Sequence, residues 1–171
     1  MAVRVQAMAP LSWTLFRPVG SIPDTDEDAQ INPEISPVPN LHPERTPAGK
    51  FRMPSFTFTV NVNRQNTMIV RSANKTAELL KHEQGHYDLL VLICRALARE
   101  VESLEADSVP ELGQQLATAQ QTHDSRAQAL DALYDKETDH SRNRTGQQRW
   151  DTAIAAALAS AKADTILNQP L

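Results

Sequence analysis

The first half of the chain alternates apolar and polar side chains, whereas the second half repeats its apolar residues at helical spacing. Residues 55–62 place phenylalanine or valine at every second position, which is typical of a strand with one buried face. A polar turn at residues 64–66 and an apolar run at residues 67–71 predict that this strand returns as an antiparallel hairpin. Residues 11–16 also alternate and predict a shorter strand near the start.

Three helices are predicted in the second half, over residues 76–102, over residues 108–134 and after a break at residues 139–146. The stripe of the second helix is Leu112, Leu116, Ala119, His123, Ala127, Leu130 and Tyr134. The core face of the third, alanine-rich helix is Trp150, Ile154, Ala157, Leu158, Ala161 and Ile166. The sequence therefore predicts an α+β fold, a small antiparallel sheet followed by three long helices.

Residues 18–54 interrupt this pattern with eight prolines and an acidic patch at residues 24–28. Proline withholds a backbone donor and forbids a regular helix, so a long loop is expected here. It is either a surface arm or a flap that borders a substrate cleft.

Composition limits the classes of function. With 171 residues and 40% apolar content, a single domain over residues 1–171 is expected. A net charge of −4 gives no electrostatic case for binding nucleic acid or anionic membranes, and no apolar run approaches the ~20 residues that span a bilayer. The single Cys94 excludes an intramolecular disulfide and a multi-cysteine zinc site, and is expected to be a buried, inert thiol.

The strongest chemical signal is the HExxH string His82-Glu83-Gln84-Gly85-His86 within the first predicted helix. Histidines four residues apart share a helix face, so their imidazoles can bind one zinc ion. Glu83 between them is placed to accept a proton from a water molecule. Asn74 or Thr76 can cap this helix.

Buried histidines and an acid need a partner, because uncompensated polar groups are costly inside a protein. The continuous apolar run at residues 89–93 predicts a central helix packed on all sides, so the string is expected to be buried and to bind a metal. Gly85 weakens a helix by about 1 kcal/mol relative to alanine, and we expect it to leave open space beside the metal.

A catalytic zinc site needs a third protein ligand. The residues alone leave five candidates open, and they lie on helix two, at its end or in the proline-rich segment: His123, Glu137, Asp139, His140 and His42. Residues 134–140 are the richest segment, since they combine acids, a phenol and an imidazole.

Several ordered motifs resemble a bacterial domain family of unknown function, described as predicted secreted zinc-dependent proteases. The motifs are Lys81-His-Glu-Gln-Gly-His-Tyr-Asp88, Tyr134-Asp135-x-x-Thr138-x-His140, Gln148-x-Trp150-Asp151 and Leu11-x-Trp13-x-x-Phe16. The resemblance spans most of the chain. It implies that His82, His86 and His140 bind one zinc, in a zincin-like fold, and that Glu83 is the general base.

The family usually has phenylalanine where this chain has Tyr87. The resemblance also implies a periplasmic or secreted protein, whereas residues 1–10 lack a convincing signal peptide, so the chain as written is expected in the cytoplasm.

The expected function is hydrolysis of a peptide or protein substrate by a zinc metallopeptidase. Tyr134 is our catalytic candidate for stabilising the oxyanion, with Tyr87 and Arg144 as alternatives. Asp88 or Asp139 is expected to orient a ligand imidazole. An extended substrate could add to the edge of the predicted hairpin. The alternatives are a catalytically inactive, metal-stabilised binding module and a non-peptide amidohydrolase. The sequence does not predict an oligomeric state.

Overall fold

The structure is a computed structural model that describes residues 3–8, 10–23, 27–36 and 42–171. Within these residues, eight short strands precede the helices: β1 (Arg4–Gln6), β2 (Arg17–Val19), β3 (Ala29–Gln30), β4 (Pro33–Ile35), β5 (Glu44–Arg45), β6 (Phe51–Arg52), β7 (Thr57–Val62) and β8 (Met68–Val70). The helices are α1 (Ala77–Ser103), α2 (Val109–Thr138) and α3 (Arg144–Ala159). A last antiparallel pair is β9 (Thr165–Ile166) and β10 (Gln169–Pro170). The α+β class with three helices is confirmed.

The predicted hairpin is wrong, because β7 and β8 lie in two different sheets. Strand β7 pairs in parallel with β1 and antiparallel with β4, and β8 pairs in parallel with β2 and antiparallel with β3. These two three-stranded sheets are therefore mixed rather than antiparallel. The alternation did identify the buried face, since Phe58 and Val60 are buried, but alternation cannot name a strand's partner. Both strands are central, so neither offers a free edge for a substrate.

Residues 11–16 do not form a strand. Trp13–Leu15 is a 3-10 turn, in which Leu15 N donates to Ser12 O at 3.0 Å. Leu11 and Phe16 are buried on either side of it. A tight turn with roughly three residues per turn can bury the apolar residues on either side of it, so its sequence pattern resembles that of a short alternating strand.

The proline-rich segment at residues 18–54 is not one long loop. It contributes β3 to β6 and most of β2, each only two or three residues long. Pro18 lies on the edge strand β2 and Pro33 begins the edge strand β4, positions at which a missing donor is tolerated. Residues 24–26 of the acidic patch lie outside the described residues.

Helix α1 forms where the sequence predicts it, and the Thr76 side chain caps it by accepting from Leu79 N at 3.0 Å. Strands and the 3-10 turn pack on one side of α1, forming the sheet core around Phe58, Val60 and Ile69. On the other side, α2 and α3 form the helix core with α1, around Leu130 and Trp150. The central position of α1 is therefore confirmed, and it carries His82 and His86 between the two cores.

The ends of α2 and α3 differ from the prediction. Helix α2 continues one turn past Tyr134, and α3 begins at Arg144 with the Asn143 side chain as its cap. Because α3 ends at Ala159, Ala161 is exposed and Ile166 reaches the helix core from β9 instead. No helix among the described residues combines the length and apolar character needed to cross a bilayer.

Cys94 is fully buried in α1, and burial raises the pKa of its thiol to about 12. The expectation that this thiol is buried is confirmed.

Candidate metal centre

His82 and His86 lie one turn apart on α1 and direct their Nε2 atoms toward each other. The two Nε2 atoms are 3.2 Å apart, and the side chains are only 3% and 10% exposed. This convergence follows from the helical spacing of four residues.

Helix α2 adds a carboxylate to the pair. Oδ1 of Asp135 lies 3.2 Å from His82 Nε2 and 2.9 Å from His86 Nε2. Ligand atoms bonded to a tetrahedral zinc at 2.0–2.2 Å are about 3.3–3.5 Å apart. The three atoms therefore approach one another about as closely as the ligands of one metal ion do.

Hydrogen bonds fix the tautomer of His82. Gln147 donates through its Nε2 to the Tyr134 hydroxyl and to Asp151, so its Oε1, 3.2 Å from His82 Nδ1, is an acceptor. The Thr138 hydroxyl donates to Tyr134 O at 2.7 Å and thus also accepts at His82 Nδ1. Nδ1 of His82 therefore carries the hydrogen, and Nε2 presents a lone pair.

Asp131 fixes the tautomer of His86 in the same way. Its Oδ1 is 2.6 Å from His86 Nδ1, so this nitrogen is the donor. Orientation of a metal-binding imidazole by a carboxylate on its other nitrogen is a recurrent arrangement in metal sites. Asp88 and Asp139 were expected to orient a ligand imidazole, but they have other positions. Asp88 accepts from Gln84 at 2.9 Å, and Asp139 ends α2 with a left-handed φ of 47°.

Two imidazole lone pairs and a carboxylate oxygen thus face one another. Oδ1 of Asp135 is buried and has no hydrogen-bond donor among the described residues. Burial would raise the pKa of Asp135, but the adjacent His82 and His86 lower it overall. For His86, burial would lower the pKa, but Asp131 and Asp135 raise it well above the ordinary value. Two imidazole nitrogens and a carboxylate oxygen that meet at one point form a donor set that fits a bound cation.

Glu83 lies beside the histidine pair with 2% of its surface exposed. Its Oε2 accepts from Ile31 N at 2.8 Å, and burial raises the pKa of its carboxyl to about 7. It borders a cavity of about 50 Å³ whose lining is Glu27, Ala29, Gln30, Ile31, His82, Glu83, His86, Asp131 and Asp135. A carboxyl with a pKa near neutrality is suited to accept and return a proton.

His140 lies next to this group rather than within it. Its Nδ1 is 3.6 Å from Asp135 Oδ1 and 3.5 Å from Glu27 Oε1. Three consecutive left-handed residues, Asp139, His140 and Ser141, turn the chain back at the end of α2. Non-glycine residues seldom adopt this conformation, and each costs on the order of 1–3 kcal/mol. Asp135 is thus shared between the histidine pair and a second group formed with Glu27 and His140.

The other ligand candidates are held elsewhere. Glu137 accepts from Trp150 Nε1 at 2.7 Å and pairs with Arg149, which ties α2 to α3. His123 is 2.9 Å from Glu100 between α1 and α2, and His42 is exposed.

Tyr134 does not line the cavity with Glu83. Its hydroxyl donates to His82 O at 3.2 Å and accepts from Gln147 at 2.7 Å, and its ring stacks on the His82 imidazole with centroids 4.8 Å apart. The geometry therefore gives Tyr134 a role in positioning His82 rather than the oxyanion role expected from the sequence. The space expected beside Gly85 is filled by the same ring.

The alternative oxyanion candidates are also placed away from the cavity. Tyr87 donates to Val60 O at 2.8 Å and accepts from Met8 N at 2.7 Å, so it ties the N-terminal segment to β7. Arg144 is exposed in the first turn of α3.

Sequence reasoning missed Asp131, Asp135, Gln147 and Glu27. A signal for two of them was present, since Asp131, Asp135 and Thr138 recur at spacings of four and three along α2. These residues lie beside the apolar stripe that was recognised. No local pattern pointed to Glu27 or Gln147. Glu27 lies 55 residues before His82, and Gln147 lies on α3, 65 residues after it.

A search of curated proteins and a search of solved structures each found no match to the chain. The family model described as bacterial protein of unknown function (DUF922) matches residues 50–141. That range holds β6 to β8, α1, α2 and every residue of the histidine–aspartate group. The chain therefore belongs to the DUF922 family of bacterial proteins.

Proposed function

We propose that this protein is a zinc-dependent hydrolase that cleaves peptide bonds, with a zincin-like site on α1. The observation that carries the proposal is the convergence of His82 Nε2, His86 Nε2 and Asp135 Oδ1 within 3.2 Å of one another. A positive charge at this point, supplied by a metal ion or by a proton on one imidazole, offsets the repulsion between these lone pairs.

Three ligands suit a catalytic ion, because a structural zinc closes its coordination with four protein groups. Asp135 is the third ligand that the geometry supports best, and His140 remains the alternative that the sequence favours. Imidazole with a carboxylate is a donor set for zinc. When bound, zinc lowers the pKa of a water at its open position to ~7 and polarises a carbonyl group.

Glu83 supplies the proton transfers. Its carboxylate accepts a proton from the attacking water as the oxygen bonds to the carbonyl carbon. It then gives this proton to the nitrogen as the carbon–nitrogen bond breaks, so the products are an amine and a carboxylic acid. The pKa of about 7 suits both steps, and the hydrogen bond from Ile31 N holds the carboxylate in place.

Asp131 and Gln147 keep both imidazoles in the tautomer that presents Nε2 to the cation. The buried Tyr134 ring stacks on one face of the His82 imidazole and excludes water from that face. An acid between two metal-binding histidines has no role in a purely structural clip, which favours hydrolysis over an inactive binding module.

The test compares Glu83→Gln with the wild type in zinc content and in cleavage of a proteome-derived peptide library, followed by mass spectrometry of the new chain ends. The variant is expected to keep one zinc and to lose cleavage by at least about 100-fold. Cleavage that survives the substitution removes Glu83 from the reaction. A wild type that binds zinc and cleaves no peptide supports the inactive module instead.

A further inference from the structure

A second cavity, of about 260 Å³, adjoins the candidate metal centre. It shares four lining residues with the smaller cavity beside Glu83: Gln30, Ile31, His86 and Asp131. His86 therefore stands between the cation position and this larger space.

The second cavity lies at the seam between the two cores. Leu89, Ile93 and Leu130 come from the helix core, whereas Ile31 and Leu90 belong to the sheet core. Pro33 and Ala127 complete its apolar wall. The rest of the lining is polar and consists of Gln30, Asn32 and His86 together with the exposed Gln128 and Asp131, so one wall of the cavity is apolar and the remainder polar.

We propose that this cavity binds an apolar side chain of the substrate, on a residue next to the bond that is cleaved. The inference rests on the proposed function, because it needs a scissile bond at the cation. An apolar cavity of ~150 Å³ is large enough to hold benzene, so 260 Å³ has room for a leucine, methionine or phenylalanine side chain.

A substrate side chain is the occupant that the position indicates. The two cavities meet at His86. When a polar group of a ligand lies at the cation, the next few carbon atoms of that ligand can therefore lie in the larger cavity. Each methylene buried there raises affinity about fourfold. A charged side chain placed against Leu89, Leu90 and Ile93 would lose its hydration on that wall, whereas an apolar one would gain contacts there.

The experiment measures the affinity of two zinc-binding probes for the zinc-loaded protein by calorimetry. Acetohydroxamate reaches the cation only, whereas 4-methylpentanohydroxamate carries four further carbon atoms. The wild type is expected to bind the longer probe at least about tenfold more tightly.

Ala127→Phe fills the cavity from α2 at a residue outside the group of His82, His86 and Asp135, and Ala127→Leu fills it less severely if the larger side chain prevents folding. Both variants are expected to bind acetohydroxamate as the wild type does, and to bind 4-methylpentanohydroxamate no more tightly than acetohydroxamate. Ala132→Phe, on the exposed face of the same helix, is the matched control and keeps the gain.

The outcomes separate the two proposals. Binding of acetohydroxamate with no gain for the longer probe overturns the side-chain pocket and leaves the hydrolase standing. A gain that persists in a folded Ala127 variant also overturns the pocket. If neither probe binds the zinc-loaded wild type, the proposed function fails and the pocket proposal fails with it.

Discussion

The hydroxyl of Tyr134 occupies the place where a side chain at Gly85 would begin. A Cβ atom added to Gly85 would lie 2.1 Å from that hydroxyl oxygen and 2.6 Å from the adjacent ring carbon. Since the ring also stacks on His82, the glycine lets α2 approach α1 closely enough to position the His82 imidazole.

Gly85→Ala is therefore expected to destabilise the protein by about 1–3 kcal/mol, because the buried Tyr134 ring must move. The free energy of unfolding in urea measures the effect. Gly113→Ala is the matched control: Gly113 lies in α2, and an added Cβ meets nothing within 4 Å. That change should stabilise the helix by about 0.5–1 kcal/mol. Equal effects of the two substitutions would contradict the packing argument.

Glu83→Gln is expected to stabilise the metal-free protein at neutral and higher pH. Burial raises the pKa of Glu83 from 4.5 to about 7, so the folded state holds a proton that the unfolded state releases. The stability that Glu83 contributes is full below pH 4.5 and is lost as the pH rises to about 7. The variant should gain on the order of 3 kcal/mol at pH 8 and nothing at pH 4. Unfolding curves at both pH values test this, and an equal difference at both values would contradict it.

Asp131→Ala is expected to weaken zinc binding about 10–100-fold, because His86 loses the partner that fixes its tautomer. Competition with a zinc indicator measures the affinity. Asp124→Ala, at an exposed position on the same helix, should leave the affinity unchanged. Unaltered affinity in the Asp131 variant would show that His86 needs no such partner.

The third ligand can be identified by comparing Asp135→Ala with His140→Ala. The geometry predicts a loss of more than about 100-fold in zinc affinity for the Asp135 variant. This exceeds the loss of about 10–100-fold that is expected for a residue which only orients a ligand. The His140 variant should lose less, since its Nδ1 is 3.6 Å from Asp135 and lies outside the group that His82, His86 and Asp135 form. The reverse order would make His140 the ligand, as the sequence suggests.

Features that depend on local spacing could be predicted from the sequence. The limits of α1 follow from the Thr76 cap and a long apolar run, and the convergence of His82 and His86 follows from their four-residue separation. The sheet could not be predicted, because the alternation in β7 is the same whether its partner is β8 or the distant β1 and β4.

The residues that reach the histidines from α2 and α3 could not be predicted from local spacing either. Asp135 contacts His82 across the packing of α2 against α1, which includes the close approach of Tyr134 to Gly85. Gln147 reaches the same imidazole from α3, 65 residues away in the chain. Polar residues at a helix end give no sequence signal of which neighbour they meet.

The most direct test of the central claim is a zinc titration of metal-free protein, comparing the wild type with His86→Ala and with His42→Ala as a control at an exposed histidine. A cation held by His82, His86 and Asp135 predicts one equivalent of tightly bound zinc in the wild type and the control, and none in His86→Ala. No tight binding by the wild type, or full binding by the His86 variant, would contradict the account.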